Sequence, residues 1–375
     1  MPRSTTALVI PVVGGPFELR RIELNTLQPD EALVEIQYTG ICHTDIACAS
    51  GKLPCKDGAV LGHEGAGIVL EVGDDVTSTA AGDKVLLSFS HCETCPPCKG
   101  GHPAYCHSFN ERNFGGTRPD GTSALAGDEP QSARFSSFFG QSSFARHAIV
   151  HKSSLVRVPQ DVDLGLLAPL GCGIQTGMGA ILNTLDVTPG SSVAVFGVGS
   201  VGIASLLAAK LCGAEKIIAI DVQESRLRLA MQMGATHGIL NSPNIVRDVR
   251  AVCPPVGVDF AVECTGVKSV IRDMMDVLGT RGKGATVGAP GFGTCVDVDV
   301  MDHLTYGKTY VGCCEGDSLP AKFIPYLIEL QKSGKLRLED FVTVYSIRDY
   351  ARAVSDSSSG ATVKAVLKWE DLELE

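Results

Sequence analysis

The sequence predicts an α/β protein: a doubly wound parallel sheet inserted in an irregular, mainly antiparallel β domain. Three observations predict it. From about Pro189 to residue 316, short apolar strands alternate with helices, the pattern of a parallel sheet covered on both faces. Before that stretch, Gly, Pro, Asp and Ser cut the chain into short β-rich pieces. After Gly334 such pieces return, so the C-terminus completes the first domain. The expected boundaries are 1–173, 174–316 and 317–375.

In chain order, the first part offers strands at Ala32–Tyr38, Ala66–Val72, Lys84–Phe89 and Ala145–Val150, with 107–140 read as loop from its Gly, Ser, Pro, Asp and Asn. The alternating part offers strands at Val193–Phe196, Lys216–Ile220, His237–Leu240, Val258–Val262, Ala285–Val287 and Thr309–Val311. Helices fall at Val201–Leu211, Ser225–Met233, Val267–Leu278 and Ala321–Gln331. This is a Rossmann arrangement. Phe341–Tyr345 and Val363–Leu367 are the closing β pieces.

Composition bounds the function. A chain of 375 residues suits two domains, and 44% hydrophobic residues exclude wholesale disorder. A net charge of −10 argues against a nucleic-acid footprint. The apolar run after Thr6 is stopped by Pro11 and Gly14-Gly15, too early for a signal peptide, and no stretch reaches the ~18 apolar residues of a membrane span. The expectation is a soluble, cytoplasmic protein without membrane or nucleic-acid partners. In a reducing compartment, its 14 cysteines point to metal rather than disulfides. The 42 glycines exceed the usual ~7% share and call for tight turns or close ligand approach.

Gly197-Val198-Gly199-Ser200-Val201-Gly202 stands between a strand and a helix. Gly197 allows the turn, Gly199 lets backbone approach a pyrophosphate, and Gly202 lets helix pack on strand. Asp221 ends the next strand, 19 residues after Gly202. A carboxylate there accepts bonds from ribose hydroxyls and repels a 2′-phosphate, favouring NAD(H) over NADP. Arg226 is near enough in sequence to help at the ribose.

Cys92, Cys95, Cys98 and Cys106 lie in a loop rich in Gly and Pro. Four thiolates so spaced can close a tetrahedron around one structural Zn²⁺. Two disulfides, free thiols or an iron–sulfur cluster are the other readings of the spacing. A further set is dispersed: Cys42-His43-Thr44-Asp45, Gly62-His63-Glu64-Gly65 and Leu170-Gly171-Cys172-Gly173. Two thiolates and an imidazole would leave one zinc position open for a substrate oxygen. Spacing alone would admit Cys48, Cys55 or His91 equally well.

With those motifs in that order, the chain resembles a zinc-dependent medium-chain alcohol dehydrogenase over essentially its full length. Gly15-Pro16-Phe17, the segment Phe138–Ala145 and Gly171–Gly177 resemble the aryl (benzyl) alcohol dehydrogenase branch. The resemblance implies a GroES-like catalytic domain around the Rossmann domain and two zinc ions per chain, and the apolar sheet edge near Thr309–Gly312 would seek a partner, giving a homodimer or homotetramer. It implies Cys42, His63 and Cys172 as catalytic zinc ligands, Glu64 as a transient ligand, and Asp45 as the group orienting His63. Thr44 would hydrogen-bond the alcohol oxygen, and Thr176 would meet the nicotinamide side of the cofactor. Lys364 and His43 would meet its pyrophosphate, and Ser88, Phe138 and Phe139 would surround the substrate. The implied activity is reversible hydride transfer between NAD(H) and a primary alcohol or aldehyde, aromatic or allylic.

Two positions depart from the family pattern. Ala47 stands where many members carry a proton-relaying histidine, so the proton must leave through a ribose hydroxyl and water or through His43. His43 itself replaces a common arginine, a weaker and pH-dependent partner for phosphate. Glutathione-dependent formaldehyde dehydrogenases share much of the pattern, but Asn110 stands where they place a carboxylate-binding arginine. A non-catalytic nucleotide-binding protein on the same scaffold would have lost zinc ligands; all three remain.

Overall fold

A computed structural model describes residues 4–126 and 135–370. The chain forms two compact units, 1–172 with 319–375, and 173–318.

The first unit holds two sheets. The smaller runs Ala59–Val60, Ser4–Ile10, Glu18–Leu24, Leu125–Ala126. The larger runs Val342–Ser346, Lys364–Lys368, Glu31–Gly40, Gly65–Val72, Lys84–Leu87, Leu155–Arg157, with His147–His151 also paired to Glu31–Gly40. Pairing is antiparallel except between Val342–Ser346 and Lys364–Lys368. The register places chemistry: Thr39 pairs with Gly65 and Gly40 with Val366. The exit of one strand therefore meets the entry of the next, and the segments around Cys42, His63 and Lys364 gather at one end of the sheet.

Charge hid the strand Glu18–Leu24. Glu18, Arg20, Arg21 and Glu23 obscure an alternation in which Ile22 and Leu24 are buried. The predicted loop 107–140 contains a helix, Phe109–Phe114, and a short strand, Leu125–Ala126; its residues 127–134 lie outside the described residues. Helices Ile245–Val252 and Tyr350–Ser359 also escaped the sequence reading.

The second unit is one parallel six-stranded sheet: β1 (Ser192–Phe196), β2 (Lys216–Asp221), β3 (His237–Leu240), β4 (Val258–Glu263), β5 (Leu278–Thr286) and β6 (Thr309–Gly312). Their order is β3-β2-β1-β4-β5-β6, the dinucleotide-binding arrangement, with its crevice where the order reverses between β1 and β4. β1 is buried at every residue, as a central strand covered on both faces must be. β5 begins at Leu278, inside the predicted helix end, and carries three glycines. At Gly284 a Cβ would overlap the Met274 sulfur, so the strand is glycine-rich because neighbours approach closely.

Candidate active site

Cys42 caps the helix His43–Ala49, and Asp45 completes the cap by accepting the Cys42 N–H at 2.9 Å. The same fully buried carboxylate accepts the Gly62 N–H at 3.0 Å and holds His63 Nδ1 at 3.0 Å. One side chain thus joins two ligand segments and fixes which ring nitrogen of His63 faces inward. That nitrogen, Nε2, is buried and among the described residues has no hydrogen-bond partner, a costly condition unless something else takes its lone pair. Around it, donor atoms of Cys42, His63, Glu64 and Cys172 all lie within 4.8 Å of one another. A hydrogen bond from Cys172, opposed by burial and aided by His63 and Lys364, holds the Cys42 thiol well below its ordinary value. A thiolate pair and an orphaned imidazole fit a zinc ion with an open position.

Close packing leaves this centre little freedom. A Cβ at Gly40 would overlap the Glu64 carboxylate, and one at Gly171 the Leu87 carbonyl. His63 stacks on Phe139 at 4.5 Å between ring centroids and meets the edge of Phe138 at 5.3 Å. Ser88 donates to the Gly171 carbonyl at 2.7 Å. Ser88, Phe138 and Phe139 are 0%, 0% and 3% exposed. They brace His63 and the turn before Cys172. Gln141, to which the sequence reading gave no role, donates to the carbonyls of His63 and Ser88 and accepts from the Gly65 N–H. It stands among Phe139, Gly140 and Ser142, all at positive φ, a contorted stretch with no periodicity for a sequence to display.

Lys364, expected to meet a pyrophosphate, pairs in this structure with Glu64. Its ammonium is buried, 2.6 Å from Glu64 Oε1 and 3.2 Å from the Ile41 carbonyl. Burial would lower its pKa, but the Glu64 and Cys42 charges outweigh that and raise it. A buried ammonium needs such a partner, and Lys364 is thereby committed to Glu64. Thr44 is half-buried beside Cys42, its Oγ1 3.7 Å from Sγ, while His43 is exposed. Ala47 is buried and Asn110 exposed.

Cys92, Cys95, Cys98 and Cys106 form a second convergent group, and among the described residues no other group of this kind appears. Their sulfurs stand 3.9 Å (Cys92–Cys98), 3.4 Å (Cys95–Cys98) and 4.0 Å (Cys95–Cys106) apart. Thiolates ~2.3 Å from a tetrahedral zinc would be ~3.8 Å apart. Backbone N–H groups point at the sulfurs, Cys95 at Cys92 and Cys92 at Cys106. Although burial pushes it up, the Cys92 thiol is drawn down to about 5 by hydrogen bonds from Thr94 and Cys95. No disulfide joins any of the fourteen cysteines. Cys48, Cys55 and His91 belong to neither group.

In the second unit, Gly197 sits at φ +84° against Thr265, and a Cβ on Gly202 would overlap the Gly197 carbonyl. Gly199 caps the helix Ser200–Leu211, with Val201 in its first turn, and a Cβ there would meet open space. That is the face a phosphate could approach, at a helix N-terminus. Asp221 accepts the Val198 N–H at 2.9 Å and the Gln223 N–H at 2.9 Å, with Arg226 3.8 Å from its Oδ2. Thr176 is buried on the helix Gly173–Gly179 of the same unit.

The Alcohol dehydrogenase GroES-like domain model matches residues 28–160, and the Zinc-binding dehydrogenase model matches 200–332. The chain is 37% identical over 370 residues to a geraniol dehydrogenase of Castellaniella defragrans, covering 97% of each. A crystal structure of benzyl alcohol dehydrogenase from Acinetobacter calcoaceticus superposes with a TM-score of 0.92 at 44% identity, covering 98% of this chain and 99% of that one. An S-(hydroxymethyl)glutathione dehydrogenase of Synechocystis is 34% identical over 367 residues, covering 95% of this chain and 97% of its own.

Proposed function

The chain belongs to the zinc-type medium-chain alcohol dehydrogenases, in an aryl alcohol-like branch, and from that premise we propose that it oxidises aromatic or allylic primary alcohols with NAD, reversibly. The observation that carries this reading is the convergence of Cys42, His63 and Cys172 around an orphaned, Asp45-held imidazole. Cys42, His63 and Cys172 would hold a catalytic zinc, with Glu64 beside them, and Cys92, Cys95, Cys98 and Cys106 a structural one. When bound, the zinc supplies Lewis acidity at the alcohol oxygen and the nicotinamide accepts the hydride. Asp45 keeps His63 in one tautomer and raises its basicity. Thr44 Oγ1 hydrogen-bonds the alcohol hydroxyl and takes its proton onward. Ala47 offers no relay, so the proton leaves through a ribose hydroxyl and water or through exposed His43. Gly199 admits the pyrophosphate, Asp221 with Arg226 receives the adenosine ribose, and Thr176 meets the nicotinamide side.

The test is an NAD-linked activity screen over benzyl, cinnamyl, geranyl and aliphatic alcohols, with and without chelator, with formaldehyde plus glutathione as a separate arm. Aromatic and allylic alcohols should lead, chelator should abolish turnover, and metal analysis should find two zinc ions per chain. Fewer than two would reopen the non-catalytic reading; glutathione-dependent turnover alone would favour the formaldehyde dehydrogenase reading over Asn110's evidence against it.

We also infer self-association in a cytoplasmic, reducing setting. Within the second unit, β6 is an edge strand, and near it in sequence Val300, Met301, Leu304 and Tyr310 are exposed at 69%, 66%, 72% and 40%. Unpaired edges and apolar surface of this kind seek a partner. Leu304→Asp is expected to shift the protein toward monomer in light scattering; an unchanged mass would defeat the assignment of this face.

A further inference from the structure

β4 ends at Glu263, directly beside Phe196 at the end of β1, where the strand order reverses. The side chain is 0% exposed, an environment that demands hydrogen bonds for a carboxyl group. Oε1 accepts three: from the Thr265 N–H at 2.5 Å, the Thr265 hydroxyl at 2.5 Å and the Gly266 N–H at 2.8 Å. The backbone carbonyl of Glu263 accepts the N–H groups of Val287 and Gly288, at 2.9 and 3.1 Å. The Cys264 N–H donates to the Phe196 carbonyl at 2.9 Å. Glu263 therefore fastens the turns that follow β4 and β5, and its neighbour Cys264 ties them to the end of β1.

The fit among those turns is tight. A Cβ on Gly197 would stand 2.6 Å from the Thr265 methyl, and one on Gly288 would overlap the Gly266 nitrogen. Gly197 opens the phosphate loop at positive φ, so the position of Thr265 decides where that loop can lie. Oε2 of Glu263, by contrast, is buried and among the described residues has no hydrogen-bond partner. Burial pushes the carboxyl pKa up, so the site asks for an acceptor at Oε1 rather than for a negative charge.

We propose that Glu263 is a positioning residue for the dinucleotide: by fastening Thr265 against Gly197 it sets the loop that receives the pyrophosphate. The proposal rests on the reading of this crevice as the NAD site. It differs from a general stabilising role in two ways. An amide in place of the carboxyl retains the Oε1 acceptor and so retains function. The loss on removing the acceptor falls on cofactor affinity and spares the donor groups of the other unit.

The experiment compares Glu263→Gln, Glu263→Ala and Thr265→Val with the full-length parent enzyme by NADH titration, by KM for NAD against kcat, and by zinc content. Glu263→Gln should bind NADH within about twofold of the parent; Glu263→Ala should bind it at least tenfold more weakly, with KM for NAD rising in step, kcat within about threefold and zinc unchanged. Thr265→Val keeps the N–H and loses the hydroxyl, so it should fall between them, and it carries the test if Glu263→Ala does not fold. Parent-like NADH binding by Glu263→Ala, or by Thr265→Val where Ala does not fold, overturns the proposal, as does an equal loss in Gln and Ala. A parent that binds no NADH defeats the cofactor reading instead.

Discussion

Asp45→Ala is expected to empty the Cys42–His63–Cys172 centre of zinc and to reduce alcohol oxidation by at least ~100-fold, although Asp45 is not itself a ligand. Three donors depend on its carboxylate: the Cys42 N–H, the Gly62 N–H and His63 Nδ1. Removing the partner of a histidine ligand typically costs ~10–100-fold in metal affinity or activity. Each buried N–H left unpaired costs a further ~1–3 kcal/mol, and two of these lie on the backbone that presents Cys42 and His63. Asp45→Asn keeps the shared Oδ1 acceptor but turns an amide toward the Cys42 N–H, so it should fall between the parent and Ala. Metal analysis per chain, beside turnover and a thermal melt, checks this: one zinc should remain, held by the four-cysteine group. An Asp45→Ala protein with two zinc ions and parent-like turnover would remove Asp45 from the mechanism.

Asp221→Ser should lower kcat/KM for NAD by about 100-fold and bring NADP turnover up to a comparable level. The carboxylate accepts a backbone N–H from the glycine loop at Val198 and another from Gln223, so it shapes the loop that would receive the proposed cofactor as well as standing ready for its ribose. Hydrogen bonds to a charged group contribute ~1.5–3 kcal/mol, which corresponds to ~10–150-fold. Removing the charge also ends its repulsion of a 2′-phosphate and frees Arg226, now 3.8 Å from Oδ2, to meet one. Steady-state kinetics with both cofactors decides it. A preference for NAD that survives the substitution would show that something other than Asp221 sets it.

Much of this could be read from the sequence, and the reasons are local. The glycine loop, Asp221 and the four cysteines announce themselves because each depends on residue type at short fixed spacing, and β1 and β2 because a buried parallel strand is a continuous apolar run. The grouping of Cys42, His63 and Cys172 was legible only through family resemblance, since the three are distant in sequence and meet through strand register. The partner of Lys364 was hidden for a related reason: a lone basic residue at the start of an apolar strand gives no sign of Glu64, 300 positions away. Gln141 acts through backbone groups of other segments and Glu263 through those of the turn that follows it, and a one-letter code records no backbone partner. The strand Glu18–Leu24 was masked by the charges on its outer face.

Every donor of both metal groups belongs to the unit made of 1–172 and 319–375, and Cys172 is the last residue before the chain departs into 173–318. The glycine loop, Asp221, Arg226 and Glu263 all belong to that second stretch. On the proposed reading, metal chemistry and dinucleotide choice are therefore written in separate cassettes of one gene product, spliced at two junctions. A homologous 173–318 segment with a different preference at the ribose could be exchanged as a block without altering a single metal donor, leaving the two traits free to diverge independently.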